Sequence, residues 1–146
     1  MLFIERIFPK QDVRKALQMV SEIEQSLPNA LGPSLGFDVI KSALRWRIRA
    51  RPEELRAAIR TTGYPINVLV VILARNVVWD ALESGQYSLG ILGAGGRMRM
   101  TMAGDGLIAL HSHLTDLIEN AGAETKEEAA ASRQNLREAV GFPFGR

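Results

Sequence analysis

The segment "YPINVLVVILARNVVWDALESG", residues 64–85, constrains this chain more than any other. Its first half is β-branched and almost wholly apolar, so it must be covered on nearly all sides. A buried strand and a buried helix both meet that demand. Asn76, Asp80 and Glu83 fall at helical spacing, no turn signal interrupts the run, and Gly85 suits a helix C-terminus. The spacing therefore predicts one central helix over 66–84, around which the rest of the chain assembles. Its longest apolar run, Val68–Ala74, is far shorter than the ~20 residues that cross a bilayer.

The flanking sequence supplies the cover. Val13, Ala16, Leu17, Val20, Ile23 and Leu27 give 11–27 one apolar helical face, and Pro28 stops it. Phe37, Ile40, Leu44 and Ile48 share a helical face over 37–50. Residues 51–63 carry Pro52 at the first helical position, acids in the first turn and Gly63 after the last. Leu107, Leu110, His111, Leu114, Leu117, Ile118 and Ala121 line one face of 105–122, which Gly122 closes. Thr125 and Glu128 form a capping box at the head of 125–141. The last two segments read as an αα-hairpin joined by "GAE".

The expected fold is mainly α, about six helices ending in that hairpin, in a single domain over 1–146. The alternative is α+β, with short strands near 43–50, 67–74 and 97–102. The glycine-rich stretch 88–106 reads as a break in the helical pattern, with "RMRMTM" alternating like a short strand.

Cysteine is absent, which removes disulfides, thiolate metal sites and thiol nucleophiles together. The N-terminal "MLFIERIFPK" carries Glu5 and Arg6 inside its apolar stretch and is unlike a cleaved signal. The expected location is cytoplasmic, or inside a particle assembled within the cell.

Candidate chemistry is thin. In "GILGAGGRMRM", Gly90 and Gly95 have the spacing of the two phosphate-loop glycines. Gly96 and Arg97 follow them, in place of the lysine and hydroxyl that nucleotide and Mg²⁺ require. His111 and His113, the only histidines, diverge by about 200° on a helix and make a poor metal pair. Asp116 stands three residues from His113, where it could pair with it. No serine sits in a G-x-S-x-G elbow. The paired acids Glu53–Glu54 and Glu127–Glu128 fall at helix starts, where the backbone dipole favours them. The residues predict no catalytic constellation, no metal site and no cofactor, hence a non-enzyme. Met19, Met98, Met100 and Met102 read as gap-filling methionines before they read as a binding surface.

The informative feature is charge layout. The chain carries only +2 overall, yet residues 43–63 hold six arginines against Glu53 and Glu54. In "ALRWRIRAR", residues 43–51, arginine alternates with apolar side chains. On a strand its four guanidiniums would share one face at ~6.8 Å spacing. On a helix Lys41, Arg45 and Arg49 form a ladder, Arg47 and Arg51 turn away, and Trp46 is expected near the rim of the apolar face. Arg97 and Arg99 repeat the alternation downstream. Residues 104–146, by contrast, hold 4 basic against 7 acidic side chains.

Arg45, Trp46, Arg47, Arg49, Arg51, Arg56, Arg60, Arg97 and Arg99 are therefore the expected contact residues for a partner or a polyanion. The acidic C-terminal hairpin, folded back or offered by a neighbouring subunit, is the first choice of counter-charge, ahead of nucleic acid and solvent. Both ends are apolar, with Leu2, Phe3, Ile4 and Phe8 in 1–9 and Phe142 and Phe144 in 141–146, and are expected to dock. The sequence thus predicts a non-catalytic structural or adaptor protein in a homo-oligomer or larger assembly, with virion and nucleoprotein particles as settings. The alternative is a small nucleic-acid-binding regulator.

Overall fold

A computed structural model describes residues 10–28, 37–84 and 96–140. These form six α-helices: α1 (Gln11–Ser26), α2 (Phe37–Ala50), α3 (Pro52–Thr62), α4 (Ile66–Ser84), α5 (Gly96–Asn120) and α6 (Lys126–Val140). No strand occurs among the described residues. The mainly helical reading is correct. The three strands of the alternative are overturned, since 43–50, 67–74 and 97–102 are all helical.

The reason differs from place to place. In α2, Phe37, Ile40, Leu44 and Ile48 repeat every three or four residues and are all buried, a row that only a helix puts on one side. In α4, Val68, Leu69, Val70, Ala74, Val77, Val78 and Leu82 are buried, and Val71, Ile72 and Leu73 are half-covered. Apolar side chains are thus needed over most of the helix surface, with Asn76, Asp80 and Glu83 left as one exposed polar stripe, and β-branching is tolerated because burial outweighs its small helix penalty. Over 96–106 the reading as a break in the helical pattern also fails, because α5 begins at Gly96. Extending a formed helix costs far less than starting one, so α5 propagates upstream through glycine and the short alternating run. Residues 88–95 lie outside the described residues.

α4 is the hub. It packs against α1, α2, α3, α5 and α6, and its longest interface is with α5. Val13, Ala16, Val20 and Ile23 of α1 and the buried row of α2 meet it from one half of the chain. Leu107, Leu110 and Leu114 of α5 meet it from the other.

The turns follow from local chemistry. α3 closes on Gly63 at φ +72°, whose N–H donates to the Ile59 carbonyl at 3.0 Å. α5 closes on Gly122 at φ +79°, with Gly122 N–H donating to Glu119 O and Ala123 N–H to Ile118 O, a Schellman pair. The capping box forms reciprocally: Glu128 N–H donates to Thr125 Oγ1 at 3.1 Å, and Thr125 N–H donates to Glu128 Oε1 at 3.0 Å. Among the described residues, no helix is long and apolar enough to cross a membrane.

Candidate interaction surface

The arginine-rich middle divides into two populations. Arg47 points back along the bundle, where its Nε donates to Glu54 of α3 at 3.1 Å and its Nη1 to Asp80 of α4 at 3.4 Å. Arg51 lies 3.5 Å from Glu54. Arg56 grips Asp12 of α1 with two bonds, at 2.8 and 3.3 Å. The Arg56 hydrogen bond holds the Asp12 carboxyl below its ordinary pKa, against the opposing effect of partial burial. Lys41 reaches Glu24 of α1 at 2.9 Å. These cations tie helices together and are spent on internal carboxylates.

The second population faces out. Among the described residues, Arg45, Arg49 and Arg60 have no ion-pair partner. Arg45 and Arg49 stand one turn apart on α2, and Arg60 is exposed on α3. Between the first two lies Trp46, 60% exposed. It is not at the rim of the apolar face as the helical reading expects. It sits about 200° from both Leu44 and Ile48, and so opposite the buried row. Ser42, Ala43 and Ala50 are exposed around it. The result is a bare indole with small neighbours and two guanidiniums along one side of it, in a row that begins at the exposed Asp38, on a helix whose other side is anchored in the core. Such a patch can seat a flat apolar surface fringed by carboxylates, or a stacked base with its phosphates.

Arg97 and Arg99 fall in the first turns of α5, with side chains outside the described residues. The expected docking termini, with Leu2, Phe3, Ile4, Phe8, Phe142 and Phe144, also lie outside them.

The acids of the C-terminal hairpin are partly engaged within it. Glu124 receives two bonds from Arg75 of α4, with the Nη1–Oε1 distance 2.9 Å, and Arg75 also reaches Thr115 Oγ1 at 3.4 Å. Arg75 lowers the Glu124 pKa. Asp116 pairs with Arg133 of α6, not with His113 as its spacing suggests. Arg133 Nε also donates to Ser112 Oγ at 3.0 Å. His111 is 2% exposed and packs its ring 6.5 Å from that of Trp79. Burial, and then the nearby Arg75 and Arg133, push His111 down to about 4.

This polar seam between α4, α5 and α6 is missed by motif reading. Its signal is Arg75, the one charge within the apolar run Ile66–Trp79, which needs a partner once that run is buried.

An open groove of about 170 Å³ runs between α3 and α4 over Leu55, Leu69 and Leu73, with Arg47 and Asn76 at its edge. It is smaller than ordinary small-molecule sites. Among the described residues no three His, Asp or Glu side chains gather closely enough to hold a metal ion. No protein family profile matches the chain, and no curated protein or solved structure matches it.

Proposed function

We propose that the chain is a non-catalytic helical subunit that works in a homo-oligomer, with the outer face of α2 as a contact surface. One observation carries this reading: Trp46 is 60% exposed on the side of a rigid helix opposite its buried row. Tryptophan and arginine are the residues most often found at the energetic centre of protein interfaces. Here one tryptophan stands beside two arginines that have no counter-ion among the described residues. Covering the indole removes roughly 100 Å² or more of apolar surface from water, about 2–3 kcal/mol at 25 cal/mol per Å².

Sedimentation velocity at micromolar concentration tests it. The wild-type chain is expected to self-associate, less so at high salt. Trp46→Ala is expected to shift it toward monomer. A wild-type monomer at both low and high salt overturns the reading.

A second reading, nucleic-acid binding, draws on the one-turn spacing of Arg45 and Arg49 beside Trp46, which suits backbone contacts with base stacking. It ranks second because Arg47, Arg51 and Arg56 are committed to Glu54, Asp80 and Asp12. Binding to single-stranded or duplex DNA with a steep salt slope, abolished by Arg45→Glu/Arg49→Glu, supports it. Absence of binding at about 50 mM salt, where phosphate contacts are strongest, overturns it.

A further inference from the structure

Among the described residues, His111 and Thr115 are the only buried polar side chains, and of the two only His111 can titrate. On α5 it lies between two rows. Leu107 and Leu114, which meet α4, stand about 40–60° to one side. Ser112 and Asp116, which meet α6, stand about 100–140° to the other. Trp79 of α4 covers the ring from one direction, and α6 completes the cover from the next.

The charges around this ring are already matched. Arg75 of α4 is held by Glu124 of the turn, and Arg133 of α6 by Asp116 of α5. Arg133 also donates to Ser112 Oγ at 3.0 Å and to the Ser112 carbonyl at 3.2 Å. The charged groups that act on His111 are Arg75, Arg133 and Glu124. With a neutral imidazole the seam holds two guanidiniums against two carboxylates. An imidazolium adds a third, buried cation, and the carboxylate that attracts it is already bonded to Arg75.

α6 is the element able to leave. Among its described residues only Ala129 and Leu136 are buried, whereas α4 buries Val70, Ala74 and Val78 completely. A helix held by so few apolar contacts opens at lower free energy than the hub of the bundle. Its departure takes Arg133 away from His111 and lets water reach the ring.

We propose that α6 is an acid-released latch: a proton taken up by His111 frees α6 from α4 and α5 about the turn at Gly122, while α1 to α5 stay packed. The open form binds a proton that the closed form refuses, so opening is favoured as pH falls below the ordinary histidine range.

Amide exchange of the wild-type chain, corrected for the direct effect of pH on exchange chemistry, tests this. At pH 7 the amides of 129–136 are expected to be less protected than those of 70–78, because α6 opens alone. At pH 5 the opening constant of α6 is expected to be roughly 20-fold larger, from a closed-state pKa of about 4 against 6.5 when open. Carboxylates are still largely ionised at pH 5 in both forms, so this response belongs to histidine. His111→Leu is expected to abolish it, and His113→Leu to keep it. Equal protection of α4 and α6 at both pH values, or α6 protection that ignores pH, overturns the proposal without any variant. A response that survives in folded His111→Leu overturns it as well.

Discussion

Arg75 of α4 and Glu124, in the turn between α5 and α6, face each other through two hydrogen bonds, with side chains only 12% and 16% exposed. A pair this enclosed stabilises mainly by matching: each charge has given up water and depends on the other. Glu124→Gln and Arg75→Met are each expected to cost about 2–3 kcal/mol, somewhat below the 3–5 kcal/mol of a fully buried pair because some solvent remains. The double variant Arg75→Met/Glu124→Gln is expected to cost less than the sum. Urea denaturation of the four-member cycle gives the coupling, and strictly additive costs would show that the two groups do not interact.

Stability is expected to fall with acid in a window set by His111. Its folded pKa is about 4 against an ordinary 6.5, so between those values the unfolded chain binds a proton that the folded chain refuses. Stability therefore rises with pH through this window, and about 3 kcal/mol is lost on going from pH 7 to pH 4. Glu124 and Asp12 are shifted downward as carboxylates, so their contribution is present above their unfolded pKa and is lost as pH falls through the folded one. Urea midpoints measured from pH 7 to pH 4 check this. His111→Leu is expected to flatten the upper part of the curve and leave only the carboxylate loss below it. An unchanged slope in that variant assigns the loss elsewhere.

Gly63 and Gly122 both sit in left-handed backbone, at φ +72° and +79°, with open space where a Cβ would stand. Alanine at either position is expected to cost about 1 kcal/mol from backbone strain alone. In a chain of this size that lowers Tm by about 2–4 °C. Asparagine is expected to cost less than alanine, because its short polar side chain tolerates this region. Equal losses for the two substitutions would mean that sterics beyond the backbone are involved.

Two neighbouring arginines are expected to part company. Arg47→Ala severs links to Glu54 and Asp80 and is expected to cost about 1 kcal/mol, a modest figure since the site is partly solvated. Arg49→Ala, on the exposed face, is expected to change stability by less than about 0.5 kcal/mol. Thermal melts of the two variants, with sedimentation of the second, separate a folding role from a contact role.

The helices were readable because burial has a period. Val13, Ala16, Val20 and Ile23 in α1 mark their inward faces by spacing alone, as do Phe37, Ile40, Leu44 and Ile48 in α2. The capping box at Thr125 is equally local, four residues that satisfy each other. The start of α5 is hidden, because glycine and a six-residue alternation look like punctuation when the helix that extends through them is not in view. The contact surface was half readable. Arginine density marks the region, but which guanidiniums are free depends on partners far along the chain. Arg56 meets Asp12 44 residues away and Arg47 meets Asp80 33 residues away. The rim position expected for Trp46 on a helix fails because two residues of helix turn it about 160° from both Leu44 and Ile48, away from the buried row.

The two apolar sides of α4 also bear on how the chain is made. During synthesis α1, α2 and α3 emerge first and can cover one side of α4 as soon as it leaves the ribosome. Its other side waits for Leu107, Leu110 and Leu114 of α5. A nascent chain halted between the two helices would show the cell an uncovered hydrophobic stripe, the kind of surface that chaperones hold and that otherwise drives aggregation. Folding of this protein is thus completed late, by α5 closing over an apolar side of α4 that the first three helices leave open.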